Sequence, residues 1–169
     1  MSDIPTLRNT KASSLNNGLL YTPEQRVRRD QSIWTKVQGA LAIFQFGVFA
    51  ISLVLVINCL FDPKWAEWAM WSIVIKTLTL YTIMVTGSIW EKVVFGKYLF
   101  AKPFFWEDVV SMGVIALHSV YIVSIFKPIL NLHDQMLLIL CAYVAYVINA
   151  VQFVLKLRRA RLQERSAHY

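Results

Sequence analysis

Gly39–Phe61, GALAIFQFGVFAISLVLVINCLF, carries no charged side chain from one end to the other. A helix needs about 20 apolar residues to cross the roughly 30 Å of hydrocarbon in a bilayer, and this run meets that length. Outward from it, three more runs reach or approach it: Trp68–Trp90, Val109–Phe126 and Met136–Leu155. They make the chain 57% hydrophobic and only 16% charged, against about 25% charged for an ordinary soluble domain. The 169 residues therefore predict an all-α, polytopic membrane protein with four transmembrane helices, over about 39–61, 68–90, 107–126 and 136–155. The helical domain covers 21–160, between a disordered N-terminal tail (1–20) and a basic C-terminal tail (161–169).

The net charge of +7 raises nucleic acid as a partner, and its distribution argues against that. Residues 1–38 hold six basic and three acidic groups, and residues 156–169 hold five basic and one acidic. The connectors at Asp62–Glu67 and Lys127–Asp134 are neutral or acidic. Positive charge gathered beside membrane spans marks the cytoplasmic side, so both termini are expected there, as an even number of spans allows. No early apolar run precedes a small-residue cleavage site, so the first span is expected to remain in the mature protein. Both cysteines, Cys59 and Cys141, fall inside apolar runs, without metal-ligand spacing.

Along the chain, Thr22-Pro23-Glu24-Gln25 has the pattern of a helix cap, with Thr22 at the N-cap and Gln25 closing a capping box. The basic helix it opens, with Arg26, Arg28 and Arg29, suits a membrane interface. Asp62-Pro63 ends the first span and Lys127-Pro128 the third. The connector from Glu91 to Glu107 is long and aromatic, containing Phe95, Tyr98, Phe100, Phe104, Phe105 and Trp106. Such a segment is expected to lie in the interface or fold back over the bundle.

Acidic groups near hydrocarbon are costly unless paired, hydrated or used. Glu91 ends a stripe on the second span (Thr77, Tyr81, Met84, Ser88) at helical spacing. Thr77 and Ser88 alone are explained by helix packing through hydroxyls; Glu91 is not. Glu107 opens the third span at the same depth, with Asp108 about 100° round the helix. Two carboxylates sharing a partly dry site push one toward its acid form, which supplies a general acid beside a general base. The alternative pairs Glu91 with Lys92 or Lys97 and Glu107 with Lys102 as loop salt bridges. His118, three turns beyond Glu107, is either a neutral core residue bonded to Tyr or Ser, a proton carrier, or an imidazole ligand. The fourth span brings Asn149, Gln152 and Lys156 to one side, and Gln38, Gln45 and Ser52 repeat every seven residues on the first. No HExxH, phosphate-binding glycine loop or dinucleotide fingerprint occurs, and the histidines are too few for a haem pair.

The blocks SIWEKVVFGKYLFA and FFWEDV, with LYTPEQRVRRDQSIWTKVQG upstream and YVAYVINAVQFVLKLRRARLQ downstream, resemble the 3-vinyl bacteriochlorophyllide hydratases of photosynthetic bacteria (2-vinyl under older numbering). The resemblance runs from Leu20 to Gln163. It implies a hydro-lyase that adds water to the C3 vinyl group of (bacterio)chlorophyllide a, giving the 3-(1-hydroxyethyl) derivative in bacteriochlorophyll a biosynthesis. It further implies a multi-pass protein of the bacterial inner (cytoplasmic or intracytoplasmic) membrane. No cofactor is implied, the substrate itself carrying magnesium. The partners implied are the tetrapyrrole, membrane lipids and other pigment-biosynthesis enzymes, with no nucleic acid.

The resemblance transfers no catalytic residues, so the chemistry selects them. Protonating the terminal vinyl carbon needs a neutral acid close by, and deprotonating water needs a base. Glu91 and Glu107 are the candidates, with Asp108 as substitute. Trp90, Phe104, Phe105 and Trp106 are expected to line a cleft for the ring, with Asn149 and Gln152 also meeting the substrate. Lys92, Lys97, Arg28 or Arg29 would meet the substrate carboxylate, and His118 is a candidate axial ligand to its magnesium. The alternative function is a noncatalytic tetrapyrrole carrier or photosynthetic-complex assembly protein; a small transporter is disfavoured because no paired broken helices occur.

Overall fold

A computed structural model describes residues 20–127 and 129–166. Residues 1–19 of the expected N-terminal tail (1–20), the end of the C-terminal tail (167–169) and Pro128 lie outside the described residues, while Leu20 packs against a buried cluster. The elements, in chain order, are α1 (Pro23–Gln31), α2 (Ile33–Phe61), a single 3-10 turn (Pro63–Trp65), α3 (Ala66–Phe95), α4 (Phe105–Phe126) and α5 (Leu132–Ser166). Among the described residues four helices are long and apolar enough to cross a membrane, and the fold is all-helical.

Helix boundaries follow local chemistry. Thr22 Oγ1 accepts from the Gln25 amide (3.3 Å) while Gln25 Oε1 accepts from the Thr22 amide (2.9 Å), the reciprocal box that satisfies two otherwise orphaned donors. Ser32, in extended conformation, breaks α1 from α2 and caps the latter through the Trp34 amide. Asp62 caps the 3-10 turn through the Lys64 amide, and Asn131 accepts from the Asp134 amide at the start of α5. Gly96 ends α3 with φ +81°, a left-handed conformation that costs a residue with a Cβ roughly 1–2 kcal/mol.

The long helices close a ring in which α2 packs on α3, α3 on α4, α4 on α5, and α5 on α2. Phe49, Val56, Ile73, Tyr121, Ile139 and Tyr143 fill its centre. Large apolar side chains such as Ile43, Val54, Trp68, Val85, Val120 and Val154 point outward. Helices apolar all round fit a membrane protein. Each long helix exceeds its apolar run: α2, with 29 residues, spans about 44 Å at 1.5 Å per residue, so its ends project beyond hydrocarbon. At one end of the bundle α1, the α3–α4 loop and the last turns of α5 meet, with Tyr21, Val94, Phe104 and Ala160 buried among them. The site is built at that end.

Candidate active site

Two helix ends and one loop assemble three acids. Because α3 persists to Phe95, Glu91 sits inside its final turns, and the connector shrinks from the expected Glu91–Glu107 to residues 96–104. Its return brings Glu107 and Asp108 into the first turn of α4, where the positive end of the helix dipole favours acids. All three are buried: Glu91 is 5% exposed, Glu107 7% and Asp108 3%.

Glu107 was the expected partner of Glu91; the structure sets the Asp108 carboxyl beside that of Glu91, with Glu107 acting on Asp108 in turn. The 100° between successive helical residues turns Asp108 toward α3 and Glu107 toward α5. An ionised carboxylate only accepts hydrogen bonds, so the closeness of two carboxyls favours the protonated form of one of them. The loop caps both. Glu91 Oε2 accepts from the Ala101 amide at 3.2 Å, and Asp108 Oδ2 from the Phe100 amide at 2.8 Å. Phe100 has φ +57°, unusual for a residue with a bulky side chain; the two carboxyl caps are what hold the loop in this turn.

Glu107 instead forms an ion pair with Lys156 of α5, Nζ to Oε2 2.6 Å, and not with Lys102. Lys156 also donates to the Pro103 carbonyl and lies over the Phe104 ring, 5.2 Å from its centroid. Asn149 Nδ2 donates to the Glu107 carbonyl at 2.8 Å, while its Oδ1 accepts from Ser111 Oγ at 3.2 Å. Asn149 therefore fixes the start of α4 against α5. No pairing of Glu91 with Lys92 or Lys97 occurs either: Lys92 donates to the Gly96 carbonyl and faces the Tyr98 ring, and Lys97 is exposed.

The aromatic residues divide into two groups. Trp90 and Phe104 join Tyr21, Phe95 and Phe153 in one buried cluster under the loop. Trp90 Nε1 donates to Thr35 Oγ1 (2.9 Å), whose hydroxyl donates to the Arg29 carbonyl, tying α1 and α2 to this cluster. Phe105 and Trp106 face outward and pack on each other, centroids 5.4 Å apart. Beside the cluster an open cleft of about 520 Å³ is lined by Leu20, Lys102, Pro103, Glu107, Gln152, Leu155, Lys156 and Arg159, with Ala160 and Gln163 at its end. Of the expected site residues only Glu107 and Gln152 line it, and Gln152 Oε1 is buried there without a hydrogen-bond partner.

His118 lies elsewhere, wholly buried in the middle of α4. Its Nδ1 contacts the Val114 carbonyl at 2.8 Å and its ring packs near Tyr143. A carbonyl only accepts, so Nδ1 carries the proton and Nε2 presents a lone pair; that nitrogen has no hydrogen-bond partner. Nearby is a residue the sequence reading passed over. Lys76 is wholly buried in α3, and its ammonium crosses the ring of helices to lie 3.7 Å from the Tyr146 ring centroid on α5. A lone cation inside an apolar run was the signal for it. Lys156 was visible on the polar side of the fourth run but not as the partner of Glu107. Among the described residues no three His, Cys, Asp or Glu side chains gather as a metal site.

The family model for 2-vinyl bacteriochlorophyllide hydratase matches residues 21–159, which takes in the cap of α1, all three acids and Lys156. A protein of Rhodobacter capsulatus named 2-vinyl bacteriochlorophyllide hydratase is 59% identical over 147 residues, covering 87% of this chain and 85% of its own. One of the same name from Cereibacter sphaeroides is 59% identical over 149 residues, covering 88% and 92%. No solved structure matches. With the match running from the cap of α1 into the last turns of α5, the chain belongs to the 2-vinyl bacteriochlorophyllide hydratase family.

Proposed function

We propose that this chain adds water to the C3 vinyl group of a chlorophyllide-type macrocycle, giving the 3-(1-hydroxyethyl) product of bacteriochlorophyll biosynthesis. A proton goes to the terminal vinyl carbon, positive charge develops on the adjacent carbon and spreads into the ring, and hydroxide from water joins that carbon as a base takes the remaining proton. Hydration leaves the net oxidation state of the substrate unchanged, so the proposed step runs on side-chain acids and bases and uses no redox cofactor.

The observation that carries this reading is the pair of carboxyl environments at one helix-end site. Glu91 and Asp108, one of them protonated, supply the acid. Glu107, a carboxylate beside them on the cleft wall, receives the proton from water and faces the developing cation. Environments that separate two carboxyls into acid and base are the usual device for such chemistry near neutral pH. The loop whose amides cap Glu91 and Asp108 must yield for the vinyl group to reach that proton, as lids do in many enzymes. His118, inside the bundle, is assigned a packing role.

The loop end is proposed to face the cytoplasm, across the bacterial inner membrane, with lipid acyl chains against the outward apolar faces. The test uses purified protein in detergent with 3-vinyl chlorophyllide a, product being read by mass and absorbance. The wild type is expected to add one water. Glu91→Gln and Asp108→Asn are each expected to lose about 10²–10⁴-fold in rate while pigment binding persists. Binding without any mass gain by the wild type would turn the assignment to a pigment carrier.

A further inference from the structure

We propose that Lys156, Arg159 and Lys102 form the anion subsite that docks the free carboxylate of the pigment and so positions the ring. The identity of the ligand rests on the hydratase reading; the subsite itself rests on the geometry. An ammonium has three donors. Glu107 and the Pro103 carbonyl take two of those on Lys156, which leaves one at the cleft wall, where the side chain is 26% exposed. Arg159, one turn or so further along α5, lines the same cleft with a planar fork of donors. Neither Arg159 nor Lys102 has an ion-pair or hydrogen-bond partner among the described residues.

The cleft wall thus holds three cations against one carboxylate, Glu107, and its remaining lining is largely apolar through Leu20 and Leu155. Such a surface complements a flat apolar ring with a single anionic arm. Two positive charges in excess also disfavour an uncharged ester in the same position, because the cations would lose hydration without gaining a partner. Lys156 touches the Glu107 carboxylate directly, so an anion bound at its third donor is held next to the proposed base. The subsite thereby places the arm of the ring and, through the ring, the vinyl edge. The expected anchors Lys92 and Lys97 contribute nothing to this wall.

The test is a fluorescence-quenching titration of the full chain in nanodiscs of zwitterionic lipid, with 3-vinyl chlorophyllide a as free acid and as methyl ester. A charge-assisted contact predicts that the wild type binds the acid at least about tenfold more tightly than the ester. Arg159→Gln and Lys156→Gln are expected to narrow that preference, and the double substitution to abolish it, by weakening the acid alone. Arg159 is exposed, so its variant keeps the fold and makes the test independent of the Glu107 ion pair. Equal binding of acid and ester by the wild type, or a preference that survives both substitutions, overturns the proposal. So does loss of the preference on adding anionic lipid that binds at Arg159, since the cleft would then be a headgroup site. Binding is read apart from turnover, so failure to hydrate leaves this result standing and failure of the preference leaves the hydratase assignment standing.

Discussion

Lys76 carries an ammonium into the centre of a helical bundle, with no hydrogen-bond partner among the described residues. Its compensation is the face of Tyr146 and, more distantly, Phe49; such a contact is worth up to about 2 kcal/mol when desolvated, less than full desolvation of a cation costs. Replacing Lys76 by Met keeps the length and removes the charge. The unfolding midpoint in detergent is expected to rise, by the equivalent of about 1–3 kcal/mol; a fall would mean that the ammonium holds the bundle together. The Glu107–Lys156 pair behaves in the opposite sense. Glu107→Gln leaves Lys156 half-buried without its counter-charge, and breaking buried pairs in this way costs about 3–5 kcal/mol. Partial exposure of Lys156 scales that down to about 1–2 kcal/mol. A thermal melt of Glu107→Gln beside Lys156→Gln and the double variant gives the coupling directly, and additivity of the single effects would show that the pair does not act as one.

At the scale of elements, the loop 96–104 joins the stop signal of α3 to the acids of α4. A Cβ at Gly96 would meet nothing within 4 Å, so its substitution tests backbone conformation alone. Gly96→Ala is expected to cost about 1 kcal/mol and Gly96→Asn clearly less, measured by thermal unfolding, with equal losses indicating that the left-handed turn is not the cause. The cap of α1, the four long apolar helices and the inward acids were all legible in the sequence, because each depends on residues a few positions apart. The partner of each acid was not. Glu91 and Asp108 meet across two helices, and which of two adjacent acids faces α3 depends on the rotation of α4 about its axis. Lys156 stands 49 residues from Glu107, and only the seating of α5 against α4, fixed by Ser111 and Asn149, brings them together. The stripe on α3 divides likewise: Thr77 and Ser88 bond carbonyls of their own helix, as packing predicts, while Tyr81 reaches Ser119 on α4.

For the molecule as a whole, the fold sorts charge by end. The end that holds the site gathers Arg26, Arg28, Arg29 and Lys36, Lys92 in the last turn of α3, the loop residues Lys97 and Lys102, and Lys156, Arg158, Arg159 and Arg161. The opposite end has Lys64 and Lys127 with Asp62, Glu67 and Asp134. Basic residues beside short loops stay on the cytoplasmic side, so the site end is expected to face the cytoplasm, where a water-soluble proton supply and an anionic ligand are both at hand. Cys59 and Cys141 replaced by Ala give a background for single reporters at Lys97→Cys, in the site loop, and Lys64→Cys, whose side chain is 88% exposed at the other end. A membrane-impermeant maleimide is expected to label Lys97→Cys only in inverted membrane vesicles and Lys64→Cys only in right-side-out ones. The reverse pattern would put the acids, the cleft and its three cations on the far side of the membrane. Labelling of both from one side would remove the odd number of crossings that separates the two loops, and with it the reading of α3 as a span.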